Sequence, residues 1–160
     1  ASSPRHPRGK EGPMILFVCT GNTCRSPMAA ALFNKIAMER RLDVRIESAG
    51  IFAADGEPAS TEAVVVMKEY GIDLLGFHAQ SINTELLEKC DLILTMTAAH
   101  KMVLEQNAAG KVYTLCEYAG LEGDIPDPFG GSVGDYELCA KRIYEALEKC
   151  ADRIEGEKQA

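Results

Sequence analysis

The sequence predicts a single three-layer α/β domain: a central, mostly parallel four-stranded sheet, doubly wound, with helices on both faces. Three observations carry that expectation. Met14-Ile-Leu-Phe-Val18 is short, apolar throughout and rich in β-formers, which marks a strand buried on both faces, as strands inside parallel sheets are. Segments of strand and helix character then alternate along the chain, the pattern of βαβ units with right-handed crossovers. No repeat or linker-like stretch interrupts the 160 residues, a length suited to one core.

Each element has its own warrant. After Pro27, the residues Met28, Leu32 and Ile36, beside Ala29, Phe33 and Ala37, form one apolar helix face that runs to about Arg40. Leu42 to Ser48 alternates apolar and charged side chains, as a half-buried edge strand does, with Ala49-Gly50 ending it. Ser60 to Tyr70 reads as a helix, with Ser60 or Thr61 as N-cap and Gly71 as its stop. Asn83 to Lys89 makes a shorter helix. Leu92 to Met96 is a further strand, Thr97 to Ala109 a helix stopped by Gly110, and Val112 to Leu115 the fourth strand. Residues 119–135, rich in glycine, proline and aspartate, form a loop long enough to be functional. Ala140, Ile143, Leu147, Cys150 and Ile154 then line one face of a final helix. The arrangement is flavodoxin-like or Rossmann-like, and in such sheets ligands bind at the carboxyl ends of the strands.

Composition narrows the function. The formal charge is −7, which disfavours broad binding to nucleic acid or to an anionic membrane, and no apolar run approaches the roughly 20 residues of a membrane-spanning helix. Residues 1–12 hold three basic groups and no apolar segment, and are expected to be an expression remnant or a disordered leader ahead of a domain over 13–160. Six cysteines without a dense disulfide framework suit a reducing cytoplasm. No metal-ligand spacing occurs, so no cofactor is expected.

The chemistry concentrates at Cys19-Thr-Gly-Asn-Thr-Cys-Arg-Ser-Pro27, between the first strand and the first helix. A helix start presents free N–H groups and the positive end of its dipole, while Gly21 and Asn22 best tolerate the positive φ that curls a loop into an anion-binding nest. Neither nucleotide-binding glycine motif is present, and a cysteine stands at the loop base instead. The N–H groups and Arg25 favour an anionic, nucleophilic sulfur there, and Arg25 can fork two phosphate oxygens.

Cys19-x5-Arg25-Ser26 after a first strand, with Asp127-Pro128-Phe129 near the chain end, resembles the low-molecular-weight protein tyrosine phosphatase family over residues 13 to about 154. The run Val18 to Met28, with Thr23 where tyrosine-specific members usually carry isoleucine, and the run Asp127 to Gly131 are most similar to the bacterial protein-arginine-phosphatase branch. The resemblance implies a nucleophile at Cys19 that becomes phosphocysteine, phosphoryl binding by Arg25 and by the backbone amides of 20–25 (Thr20, Gly21, Asn22, Thr23 and Cys24), and a general acid, later base, at Asp127. It further implies that the Ser26 hydroxyl bonds the sulfur, that Asn22 is left-handed, and that Ser48 and His78 brace it. The expected substrates are phosphorylated proteins, with phosphate and other oxyanions as inhibitors.

Three alternatives remain. A phosphotyrosine phosphatase keeps the same machinery. A thiol-dependent arsenate reductase is disfavoured because Thr95-Met-Thr97 stands where such enzymes place a further cysteine, and a phosphoprotein-binding module or redox sensor would be expected to lose Arg25 or Asp127. The residue that separates phosphoarginine from phosphotyrosine is Thr23: it offers an acceptor oxygen and less apolar bulk than isoleucine to the leaving group, whereas Phe129 can stack on either planar group. Cys24, five residues after Cys19 on one curled loop, is within reach of a disulfide and is the expected redox partner.

Overall fold

The structure, a computed structural model, describes residues 12–159; the expected leader lies outside them apart from Gly12. Strand β1 (Met14–Cys19) is followed by α1 (Arg25–Arg40), β2 (Arg45–Gly50), α2 (Thr61–Glu69), α3 (Thr84–Lys89), β3 (Leu92–Thr95), α4 (Ala98–Ala108), β4 (Val112–Thr114), α5 (Leu115–Tyr118) and α6 (Val133–Gln159). The strands form one parallel sheet in the order β2-β1-β3-β4, with Ile15 opposite Ile46 and Leu92, and Ile93 opposite Val112.

β1 is central because both of its faces are apolar. Ile15, Phe17 and Cys19 pack with Met28, Leu32 and Phe33 of α1 and with Ala140, Ile143 and Leu147 of α6. Met14, Leu16 and Val18 pack on the other face with Leu86 and Leu87 of α3 and Leu104 of α4. All six β1 residues are buried, and each large apolar side chain contributes about 1.5–3 kcal/mol on leaving water. No helix among the described residues is long and apolar enough to cross a membrane.

Several boundaries differ from the sequence reading. α1 begins at Arg25, ahead of Pro27, because proline is tolerated in a first helical turn, where its missing N–H has no partner to lose. Strand β2 starts at Arg45 rather than Leu42, since Arg41 turns left-handed (φ 58°) and the N–H of Leu42 closes back on the Ala37 carbonyl. Ala49 and Gly50, expected to end that strand, lie inside it. The residue after β4, Leu115, opens the unexpected helix α5, which is held by a reciprocal capping box between Thr114 and Glu117. Ser132 and Asp135 exchange bonds in the same manner at the start of α6, which draws residues 133–135 out of the expected loop.

Gly50 ties the sheet to the loop that follows β1. It lies opposite Cys19, and a Cβ there would stand 2.5 Å from the Thr20 carbonyl oxygen and 2.9 Å from the Asn22 nitrogen, both backbone atoms. Gly50→Ala is therefore expected to displace residues 20–22 and to cost about 1–3 kcal/mol. Denaturant unfolding measures this, and a variant as stable as the parent contradicts so close an approach.

Candidate active site

The loop between β1 and α1 is shaped by its peptide orientations. The carbonyls of Cys19, Thr20 and Thr23 accept bonds from the N–H groups of Ile51, Phe52 and Ser60. Because a trans peptide points its C=O and the next N–H in opposite directions, the N–H groups of Thr20, Gly21 and Cys24 face the other side of the loop. There they join the first turn of α1, whose N-cap residue, Cys24, gives no side-chain acceptor to the helix. The product is a concave array of donors at the positive end of a 16-residue helix.

Asn22 sets the curl. Its φ of 58° is left-handed and it is 0% exposed. Its side-chain amide donates to Ser26 Oγ at 2.8 Å and to Ser48 Oγ at 3.0 Å, and its Oδ1 accepts from the Gln80 N–H at 2.8 Å. The second brace therefore comes from the Gln80 backbone, not from His78 as expected. His78 is exposed, and its Nδ1 stands 3.4 Å from the Gly56 carbonyl oxygen. Between His78 and Gln80 the Ala79 side chain is buried, while that of His78 is turned to solvent.

Cys19, at the buried end of β1, has its Sγ 2.9 Å from Ser26 Oγ. Since that oxygen already accepts from Asn22, its own proton is free for the sulfur, the next acceptor being the Ala49 carbonyl at 3.5 Å. Arg25 is buried and donates from Nη1 to the Ile125 carbonyl at 2.9 Å, while Nη2 stands 3.7 Å from Asp127 Oδ2. The carboxylate is 52% exposed and accepts the Phe129 N–H at 3.1 Å, an Asx turn that aims Asp127 inward from the loop ahead of α6. Cys19, Thr20, Gly21, Thr23, Cys24, Arg25, Asp127 and Phe129 line one cavity of about 220 Å³. Thr23 is half-buried there and Phe129 is 73% exposed at its edge.

A larger cavity of about 530 Å³, between the amino ends of the strands and the end of α6, engages its charges internally: Arg153 with Glu157, and Asp91 with the Met14 N–H. The smaller cavity is the one that holds a nucleophile, a fixed cation and a carboxylate together.

Four neighbours of the loop were not read from the sequence. Gln80 and Ser60 hold it by backbone groups, which leave no side-chain signal. Tyr136, fully buried in α6, has its hydroxyl 3.2 Å from Cys24 Sγ, and burial pushes that hydroxyl well above the ordinary tyrosine range. His100, in the first turn of α4, has Nε2 2.9 Å from Thr20 Oγ1. Its position was in principle legible, since a helix that begins just after β3 must stand beside the carboxyl end of β1 in a parallel sheet. The other cysteines, Cys90, Cys116, Cys139 and Cys150, are all buried, and burial raises each thiol; that of Cys139 is pushed up to about 12.

Burial, and then the cation of Arg25, lowers His100 to about 4 against the opposing pull of Asp124 and Asp127. Unfolded, it titrates near its ordinary value of 6.5. As pH falls from about 6.5 towards 4 the unfolded chain gains a proton that the folded chain refuses, so stability declines across that window. Urea unfolding at stepped pH should show the decline, and His100→Gln should flatten it. Equal slopes in parent and variant would contradict a buried neutral imidazole.

The family model for low molecular weight phosphotyrosine protein phosphatase matches residues 14–160. The chain is 41% identical over 149 residues to a protein-arginine-phosphatase of Bacillus subtilis (strain 168), covering 91% of this chain and 99% of that one. It is 44% identical over 137 residues to the low molecular weight protein-tyrosine-phosphatase PtpB of Staphylococcus haemolyticus, covering 84% and 95%. Among solved structures it is similar to the YwlE arginine phosphatase, as a cysteine-to-serine mutant with a phosphorylated active-site serine. That match has a TM-score of 0.86 and 41% identity, over 89% of this chain and 95% of the other.

Proposed function

Because this chain belongs to the low molecular weight phosphotyrosine protein phosphatase family, and is thus a cysteine-based phosphatase, we propose that it hydrolyses phosphoarginine in proteins, with Cys19, Arg25 and Asp127 as its catalytic residues. The observation that carries the proposal is the meeting of these three side chains in one small cavity under a curled loop of amides.

In this reading the phosphoryl oxygens lie among the amides of residues 20–25 and against the guanidinium of Arg25. The Cys19 sulfur attacks phosphorus, an S–P bond forms, and the P–N bond to the substrate guanidine breaks. The electron pair of that bond leaves on nitrogen, and Asp127 supplies the proton. Asp127, now a carboxylate, removes a proton from a water that attacks phosphorus. The S–P bond then breaks, releasing inorganic phosphate and restoring both residues. Ser26 bonds the sulfur whenever it is anionic, as nucleophile and as leaving group. The fixed amides and Arg25 supply the charge stabilisation that phosphoryl transfer mainly requires. Free phosphate, the product, is expected to inhibit. Cys24, on the same cavity wall as Cys19, is the proposed redox partner.

Support for arginine comes from Thr23 and from the relatives described as arginine phosphatases. A threonine wall gives a guanidine N–H an acceptor. Phosphotyrosine is the second reading, because the Staphylococcus haemolyticus relative is described as a protein-tyrosine-phosphatase.

Matched phosphoarginine and phosphotyrosine peptides test the choice. The native chain is expected to have the higher kcat/KM on phosphoarginine, and Thr23→Ile to move the ratio towards phosphotyrosine by about 10–200-fold. A native chain faster on phosphotyrosine would return it to the second reading.

A further inference from the structure

The proposed chemistry gives no part to His100, a buried titratable group beside the loop. His100 is 7% exposed, sits in the first turn of α4, and has one ring nitrogen, Nε2, 2.9 Å from Thr20 Oγ1. The other, Nδ1, has no hydrogen-bond partner. Thr20 differs from the loop residues around it: Asn22, Cys24 and Arg25 are buried, whereas Thr20 is exposed at the mouth of the cavity. With the phosphoryl group among the amides, as in the proposed chemistry, the leaving group lies towards the exposed Thr20.

The unpartnered nitrogen favours one direction for the Thr20–His100 bond, because a buried N–H without an acceptor is rarer than a buried lone pair without a donor. A neutral imidazole carries one proton. Placed on Nδ1, that proton would be a buried donor without an acceptor, which is costly, and it would face the field of the Arg25 cation that already disfavours positive charge on this ring. Placed on Nε2, it leaves Nδ1 a bare lone pair, and the ring donates to Thr20 Oγ1. The threonine oxygen then keeps its own proton and one lone pair for other partners.

From this geometry we infer that His100 is a positioning residue for substrate selection, holding the Thr20 hydroxyl at the cavity mouth as a polar contact for an N–H-rich leaving group. The inference rests on the phosphoarginine reading and deepens it. A guanidine carries N–H groups along its edges, one of which can be given to the free lone pair of Thr20. A phenol leaving group presents C–H edges and gains nothing from that oxygen. Selection would then involve two hydroxyls of the cavity wall, Thr20 and Thr23. His100 itself touches no substrate and acts through Thr20.

The test compares Thr20→Val, His100→Leu, His100→Gln and the double variant Thr20→Val/His100→Leu. Each is assayed for kcat/KM on the matched phosphoarginine and phosphotyrosine peptides and for inhibition by inorganic phosphate. Thr20→Val and His100→Leu are each expected to lower the phosphoarginine-to-phosphotyrosine ratio about tenfold, one hydrogen bond to a charged group. Phosphate inhibition should change little, because the amides and Arg25 remain. His100→Gln, whose side-chain N–H can still reach Thr20, should recover much of the loss, and the double variant should be no worse than Thr20→Val alone. An unchanged ratio in both single variants overturns the inference. So do losses that multiply in the double variant, or an equal loss on both peptides together with weaker phosphate inhibition, which would make His100 a mere support of the loop. Thr20 is exposed, so its valine variant tests the idea even where His100→Leu fails to fold. The native ratio judges the phosphoarginine reading, and the change in ratio on mutation judges the Thr20–His100 pair.

Discussion

The site depends on a single buried side chain held in an unfavoured backbone conformation. Asn22 adopts φ 58°, which costs an L-residue energy that asparagine tolerates better than most. Three hydrogen bonds, to Ser26, Ser48 and the Gln80 backbone, hold it there. Each reaches a different part of the chain: the start of α1, strand β2, and the segment ahead of α3. The curl that gathers the amides is therefore held by the whole three-layer fold rather than by the loop alone. Pre-organisation of this kind is what phosphoryl transfer asks of a protein.

The second constraint is electrostatic. The chain carries a formal charge of −7, so attraction of a phosphorylated substrate has to be local. The buried guanidinium of Arg25 supplies it and is held by a neutral group, the Ile125 carbonyl, whose own N–H is bonded to the Met96 carbonyl beyond β3. A neutral anchor fixes the plane of the guanidinium without cancelling its charge. Asp127, at 3.7 Å and half in solvent, is a loose partner that a phosphoryl group can replace. Ser26 works on the same principle: with Asn22 donating to it, its hydroxyl proton is turned towards the sulfur.

Contiguous features were legible in the sequence. The run from Met14 to Pro27 encodes strand, nest and helix start in consecutive residues, so Cys19, Asn22 and Arg25 could be placed from periodicity and loop chemistry. Asp127 was legible through a motif in a glycine-rich loop. Contacts across the sheet were not. His78 and Gln80 are equally polar neighbours, and only the direction of the extended backbone decides which of them meets Asn22. His100 and Tyr136 reach the loop from helices 80 and 112 residues further along the chain, over distances that periodicity does not register. The Ser60 and Gln80 backbone braces carry no residue signature at all. The shift of β2 arises from a left-handed arginine, Arg41, a conformation that composition does not announce.

The central claim is that a cradle held by the fold lets Cys19 take the phosphoryl group covalently while Asp127 manages the protons. Rapid-quench analysis of Asp127→Asn with an activated aryl phosphate addresses it most directly. Such a leaving group needs no proton, whereas hydrolysis of the intermediate still needs a base. The account predicts a burst of released phenol equal to the enzyme present, with phosphate bound to Cys19 when the trapped peptide is sequenced by mass spectrometry. Turnover without a burst and with unmodified Cys19, or phosphate found on another residue, would contradict it.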